Sequence, residues 1–146
     1  MPPHVSPATC NALIRRSLDL RSLYAHAAAA CEPGLRLVLA DNAHTLGQLV
    51  GDLQAQLAAA GARPRAGESW QGVVHRHLVA ALVRAASRRE AAWLRALMHQ
   101  ERRLLQAFEE AIAAAPAGTA LALRRQLPRL RGIHLDMHNL AGAPRC

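Results

Sequence analysis

Between the two ends of this chain, helix breakers cluster at three places: "EPG" at 32–34, "GARPRAGES" at 61–69 and "PAGT" at 116–119. The stretches between them are rich in Ala and Leu, which favour helix, and poor in residues that favour strands. Aromatic residues make up 3% of the chain and hydrophobic residues 51%. A chain punctuated in this way is confined to an all-α fold. The sequence predicts helices over 11–31, 35–60, 70–85, 88–115 and 120–141. Thr9, Ser69 and Ser87 are placed to cap the first, third and fourth of them. Pro128 falls inside the last helix and must kink it or reset its start.

Tight turns join the first two helices and the last two, so each pair predicts an antiparallel hairpin. The irregular segment 61–69 and the short helix from Trp70 form a long crossover between the hairpins. That connectivity belongs to ferritin-like four-helix bundles. A length of 146 residues suits one domain, and such a domain needs no disulfide or metal to fold. We expect residues 9–142 to form it, with short flexible segments at 1–8 and 143–146.

The composition argues against several functional classes. Cys10, Cys31 and Cys146 are odd in number, widely spaced and form no CxxC, which predicts reduced thiols in a cytoplasmic protein. The opening "MPPHVSPATC" lacks the basic-then-apolar pattern of a signal peptide. No apolar run is long enough for a membrane span, so no membrane association is expected. Neither a phosphate-cradling glycine loop nor an activated nucleophile beside a histidine appears. No enzyme motif is present.

Net charge is +8, and all 18 basic residues are Arg. Arg pairs bidentately with phosphate, so a polyanion or nucleic-acid partner is one reading. Biased coding in a GC-rich genome is the simpler one. The clusters Arg88/Arg89, Arg102/Arg103, Arg124/Arg125 and Arg129/Arg131 lack interleaved aromatics and any helix-turn-helix or zinc-finger spacing. On a bundle exterior such side chains ordinarily shield the apolar stripe with their stems.

The core-facing lines contain polar intruders. Leu94, Leu97, Met98, Leu105, Phe108 and Ile112 recur at three- and four-residue steps, and Glu101 sits within that stripe. Ala120, Leu123, Leu127, Leu130, His134, Met137 and Ala141 form a similar line. Glu101 and His134 are about equally far from the turn near residue 117, so a hairpin puts them at one level. On the first helix, Leu13, Leu20, Tyr24, Ala27 and Cys31 form a line flanked by Ile14, Leu18, Arg21 and Ala25. Arg21 is expected at the edge of the core, as a partner for Glu101. A buried carboxylate must be paired or neutralised.

The second helix is expected to bury Leu39, Leu46, Leu49, Val50, Leu53 and Leu57. Its Asp41 and His44 have the spacing of a metal-ligand pair but fall on the opposite, solvated face. His138 shares a helix face with His134. Asp41, His44 and His138 are therefore weak metal candidates. His77 is expected to pack within the Trp70–Val73–Val74–Ala81 stripe. Leu23, Val38, Val79 and Trp93 are expected to supply a face for association.

In order, "NALIRRSLDLRSLY", "LVGDLQAQLAAAGARPRAGESWQGVVHRHL", "HQERRLLQAFEEAI" and "IHLDMHNL" resemble a family of small bacterial ferritin-like proteins of unknown function. The resemblance runs from about Cys10 to Leu140. It implies glutamates following the position of Asp19, a Glu at Glu101 and a His at His134. Here Arg21 and Ser22 stand in place of those first-helix glutamates. A di-iron carboxylate site takes about four carboxylates and two histidines, partly as Glu-x-x-His pairs. None of the six glutamates has His three residues later. The expectation is therefore a non-catalytic bundle protein with a degenerate metal site, acting through self-association or a protein partner. Binding of Fe, Mn or Zn at a reduced site around Glu101 and His134 is the alternative.

Overall fold

The computed structural model describes residues 6–61, 70–85 and 89–142. These residues form helices α1 (Pro7–Ala30), α2 (Pro33–Ala59), α3 (Trp70–Ala85), α4 (Arg89–Ala114), α5 (Ala117–Arg124) and α6 (Leu127–Gly142). The described residues contain no strand, so the all-α expectation holds.

Two helix starts differ from expectation for one reason. Proline at the first helical position gives up an N–H that has no intrahelical partner anyway. Thus α1 begins at Pro7 behind Ser6, before the anticipated Thr9 cap. Likewise α2 begins at Pro33, so the proline of "EPG" starts the helix that it was expected only to precede. Gly61, at φ +78°, ends α2 in the left-handed conformation that glycine adopts without a Cβ penalty. Ser69 and Ser87, the other anticipated caps, lie outside the described residues.

The last predicted helix is two. Gln126 separates α5 from α6, and Pro128 takes the second position of α6. Pro128 therefore resets the start of the helix.

The first hairpin packs α1 along α2, and the second packs α4 against α5 and α6. Contacts of α1 with α4 and of α2 with α6 close the bundle, while α3 rests on α1 and α4. The Glu32 N–H donates to Glu90 Oε1 at 3.3 Å, which ties the α1–α2 turn to the start of α4. At the opposite end Ser6 and Thr9 share a shallow pocket with Ala114, Ala115 and Thr119. Together these contacts make α1 and α4 antiparallel. Arg36 fastens the α1–α2 turn by donating to the carbonyls of Ala28 and Cys31, at 3.0 and 3.1 Å.

The core is built from the lines read in the sequence. Leu13, Leu20, Tyr24, Ala27 and Cys31 of the α1 line are buried, as are all six leucine and valine positions expected on α2. Leu94, Leu97 and Phe108 are buried on α4, whereas Met98, Leu105 and Ile112 lie at the edge of the core. Leu104 and Ile133 are buried although the lines as drawn passed them by.

Several exterior assignments need correction. Leu23, Val79 and Trp93 are core residues and supply no association face. The Trp93 ring meets His26 at 5.5 Å, across α1 and α4. His77 is exposed instead of packed, as is Val74 on the same helix. Among the described residues, the large apolar side chains that do face outward are Leu37, Val74, Leu78, Leu121 and Leu135. No described helix is long and apolar enough to cross a membrane.

Candidate functional site

Glu101 is completely buried in the middle of α4, at the level that the spacing from the turn predicts. His134 Nδ1 lies 2.8 Å from Glu101 Oε2, across the second hairpin. The histidine side chain is 40% exposed and the glutamate side chain 1%. One end of the pair is therefore wet and the other dry. Glu101 Oε1 has no hydrogen-bond partner. Burial pushes the Glu101 carboxyl above its ordinary range, and the bond and charge of His134, then the charge of Arg102, pull it back only in part.

Two further helices bring polar groups to this level. Tyr24 of α1 is fully buried, and its hydroxyl makes no hydrogen bond. Burial is the main force holding this phenol protonated, followed by the charges of Glu101 and Asp136. The Asn42 side chain of α2 opposes them from beside the hydroxyl. Asn42 is itself buried, and its Nδ2 lacks a hydrogen-bond partner. Each helix of the bundle thus contributes one polar side chain: Tyr24 from α1, Asn42 from α2, Glu101 from α4 and His134 from α6. Unsatisfied buried polar atoms are rare and mark a place that needs explaining.

Asn42 was missed by sequence reasoning, though a signal existed. Positions 35, 39, 42, 46, 49 and 53 alternate steps of four and three, and Asn42 is the one polar member. Ser17 stands in the same relation to Leu13 and Leu20 on α1. It is buried and donates to the Leu13 carbonyl at 2.7 Å, so it satisfies itself.

Arg21 does not join the cluster. It is exposed, and its guanidinium lies against Gly47, within 3.6 Å of where a Cβ on that glycine would sit. A Cβ there would make an ordinary contact with the guanidinium. The weak metal candidates Asp41, His44 and His138 are exposed on α2 and α6. Nowhere among the described residues do three or more His, Cys, Asp or Glu side chains converge as metal ligands. Cys10 and Cys31 are free, buried thiols. Cys10 donates weakly to the Leu53 carbonyl at 3.8 Å, and burial pushes its thiol up to about 11. Burial also leads the upward shift of Cys31. Both are the inert kind of cysteine.

The ligand set of a di-iron carboxylate centre does not fit this cluster. One carboxylate and one imidazole face each other. The groups beside them are a phenol held protonated and an amide, so the cluster supplies one carboxylate where a di-iron centre takes about four.

No curated protein and no solved structure matches the chain significantly. A family model described as a domain of unknown function, DUF2383, matches residues 8–114. The matched segment covers Tyr24, Asn42 and Glu101 and stops before α5 and α6, which carry His134. By this match, the chain belongs to the DUF2383 family.

Proposed function

We propose that this chain is a non-catalytic bundle protein of ferritin-like arrangement. In this reading a buried polar cluster takes the place of a metal centre, and the protein acts by association with itself or with a protein partner. The two hairpins and the long crossover support the arrangement. The observation that carries the reading is Glu101, a single buried carboxylate answered by His134, with Tyr24 and Asn42 as its polar neighbours. Arg21 has moved to the exterior, so the cluster consists of four side chains from four helices.

The Glu101–His134 pair favours one register of α4 against α6, because a slip would leave the buried carboxylate without its partner. The outward leucines Leu37, Leu121 and Leu135 supply apolar surface on three helices for association.

Elemental analysis of protein purified without a His-tag tests the reading. The protein is incubated in turn with Fe(II), Mn(II) and Zn(II). The expected result is no tightly held metal in any condition, together with an oligomer or a captured partner in sedimentation runs. About one retained metal per chain would replace this reading with the reduced metal site on Glu101 and His134.

A further inference from the structure

Away from the buried cluster, arginines gather on the outer side of α1 and α4, beside α3. There a cleft of about 320 Å³ is lined by Arg15, Arg16, Asp19, Gly72, His75, Gln100 and Arg103. Arg16 and Arg103 also line the adjoining cleft, beside Gln106 and Glu110. Three guanidiniums from two helices and an imidazole from a third therefore face one open space.

The arginines elsewhere in the bundle provide a contrast. Arg36 donates to backbone carbonyls at the α1–α2 turn, and Arg129 pairs with Asp52. Arg15, Arg16 and Arg103 form no ion pair with any described residue. Two carboxylates stand near the cleft, and both are engaged. The Asp19 carboxylate lies against Gly72, where a Cβ on that glycine would collide with it. Glu110 accepts from Gln106 Nε2 at 3.1 Å. Like charges facing one another across a helix seam repel, and a bound anion relieves the repulsion.

We infer that this cleft binds the phosphate group of a small phosphorylated molecule. The guanidinium fork matches a phosphate bidentately. The His75 ring carries an N–H in either protonation state, and the Gln100 amide adds a further donor. The volume suits a small ligand rather than a duplex or an extended strand. Asp19 shares this cleft with the arginines, and Glu110 sits in the adjoining one. Among the described lining residues His75 carries the one ring, so they present no run of aromatic faces on which successive bases stack. This inference is independent of the metal question at Glu101.

Isothermal titration of the full chain with inorganic pyrophosphate tests the site. Three proteins are compared: the natural chain, the double variant Arg16→Gln/Arg103→Gln, and a control, Arg124→Gln/Arg125→Gln. The control removes the same charge from an exposed pair at the end of α5. All four arginines are exposed, so thermal melts should show both variants folded. The natural chain should bind one pyrophosphate, and binding should weaken as NaCl is raised, since the contacts are screened. The Arg16/Arg103 variant should lose about tenfold or more in affinity, two charge-assisted contacts being gone. The control should bind as the natural chain does. No binding, or an equal loss in the control, would overturn the site. Binding of a single-stranded oligonucleotide without binding of pyrophosphate would overturn the assignment to a small ligand.

Discussion

Asp52 and Glu101 each fasten α6 or its start to a neighbouring helix, Asp52 from α2 and Glu101 from α4. Asp52 accepts from Gln126 Nε2 at 3.2 Å and pairs with Arg129, with its side chain 51% exposed. Those two hydrogen bonds hold its carboxyl below the ordinary range. Glu101 has a comparable bond to His134 but is dry, and its carboxyl is pushed up. Water solvates Asp52 and leaves its partners to decide the sign. Around Glu101 the loss of water outweighs the partner. A carboxylate facing a base across two helices is therefore no guide to stability until its burial is known.

The comparison can be broken most forcefully by truncating each carboxylate. Glu101→Ala removes the partner of His134 and opens space in the core. It should cost about 2–4 kcal/mol in urea unfolding. Asp52→Ala should cost less than about 1 kcal/mol, as exposed pairs do. Equal losses would show that the two sites are equally wet.

Changing pH should sharpen the contrast, because the two groups act with opposite signs. The raised carboxyl of Glu101 binds its proton more tightly in the folded chain than in the unfolded one. Its contribution is fully present below the ordinary carboxyl range and is lost as pH rises through the folded value. Asp52 contributes above the ordinary range and loses that contribution as pH falls through its lowered value. Its term is small because solvent screens it. Unfolding of Glu101→Gln across acidic to neutral pH should lack the falling limb that the natural chain shows. Asp52→Asn should keep it. In about 1 M NaCl, where the screening length is about 3 Å, the cost of Asp52→Asn should shrink towards zero. Glu101→Gln should change little with salt.

The smallest expected effects lie at glycines. A Cβ on Gly51 or Gly132 meets nothing within 4 Å, so replacing either with Ala should stabilise its helix by about 0.5–1 kcal/mol. At Gly72 the Cβ would take the place of the Asp19 carboxylate, so Gly72→Ala should forfeit that gain. Thermal melts of the three variants check the ranking.

The sequence made the level of Glu101 and His134 legible, because both lie on apolar lines at matched distances from one turn. Tyr24 was legible as a core residue, but its role beside the carboxylate was not. Its phenol and the Asn42 amide meet only when α1 and α2 are packed. Arg21 is exposed although flank positions share a helical period with the core, because periodicity does not fix which flank the neighbouring helices cover. Leu23 and Trp93, expected to face outward, are buried for a related reason. Which side of a helix a fourth neighbour covers is a tertiary fact, here supplied by the α1–α4 contact. The arginine cleft escaped notice because its members are distant in sequence, at 15, 16, 75 and 103.

The most direct test of the account compares the unfolding free energy of the natural chain and Glu101→Gln under two conditions. One is EDTA, and the other is saturating Fe(II), Mn(II) or Zn(II). If side chains satisfy Glu101, the difference between the two proteins is the same with and without metal. A difference that appears only in the metal-loaded samples would contradict the account and make Glu101 a metal ligand.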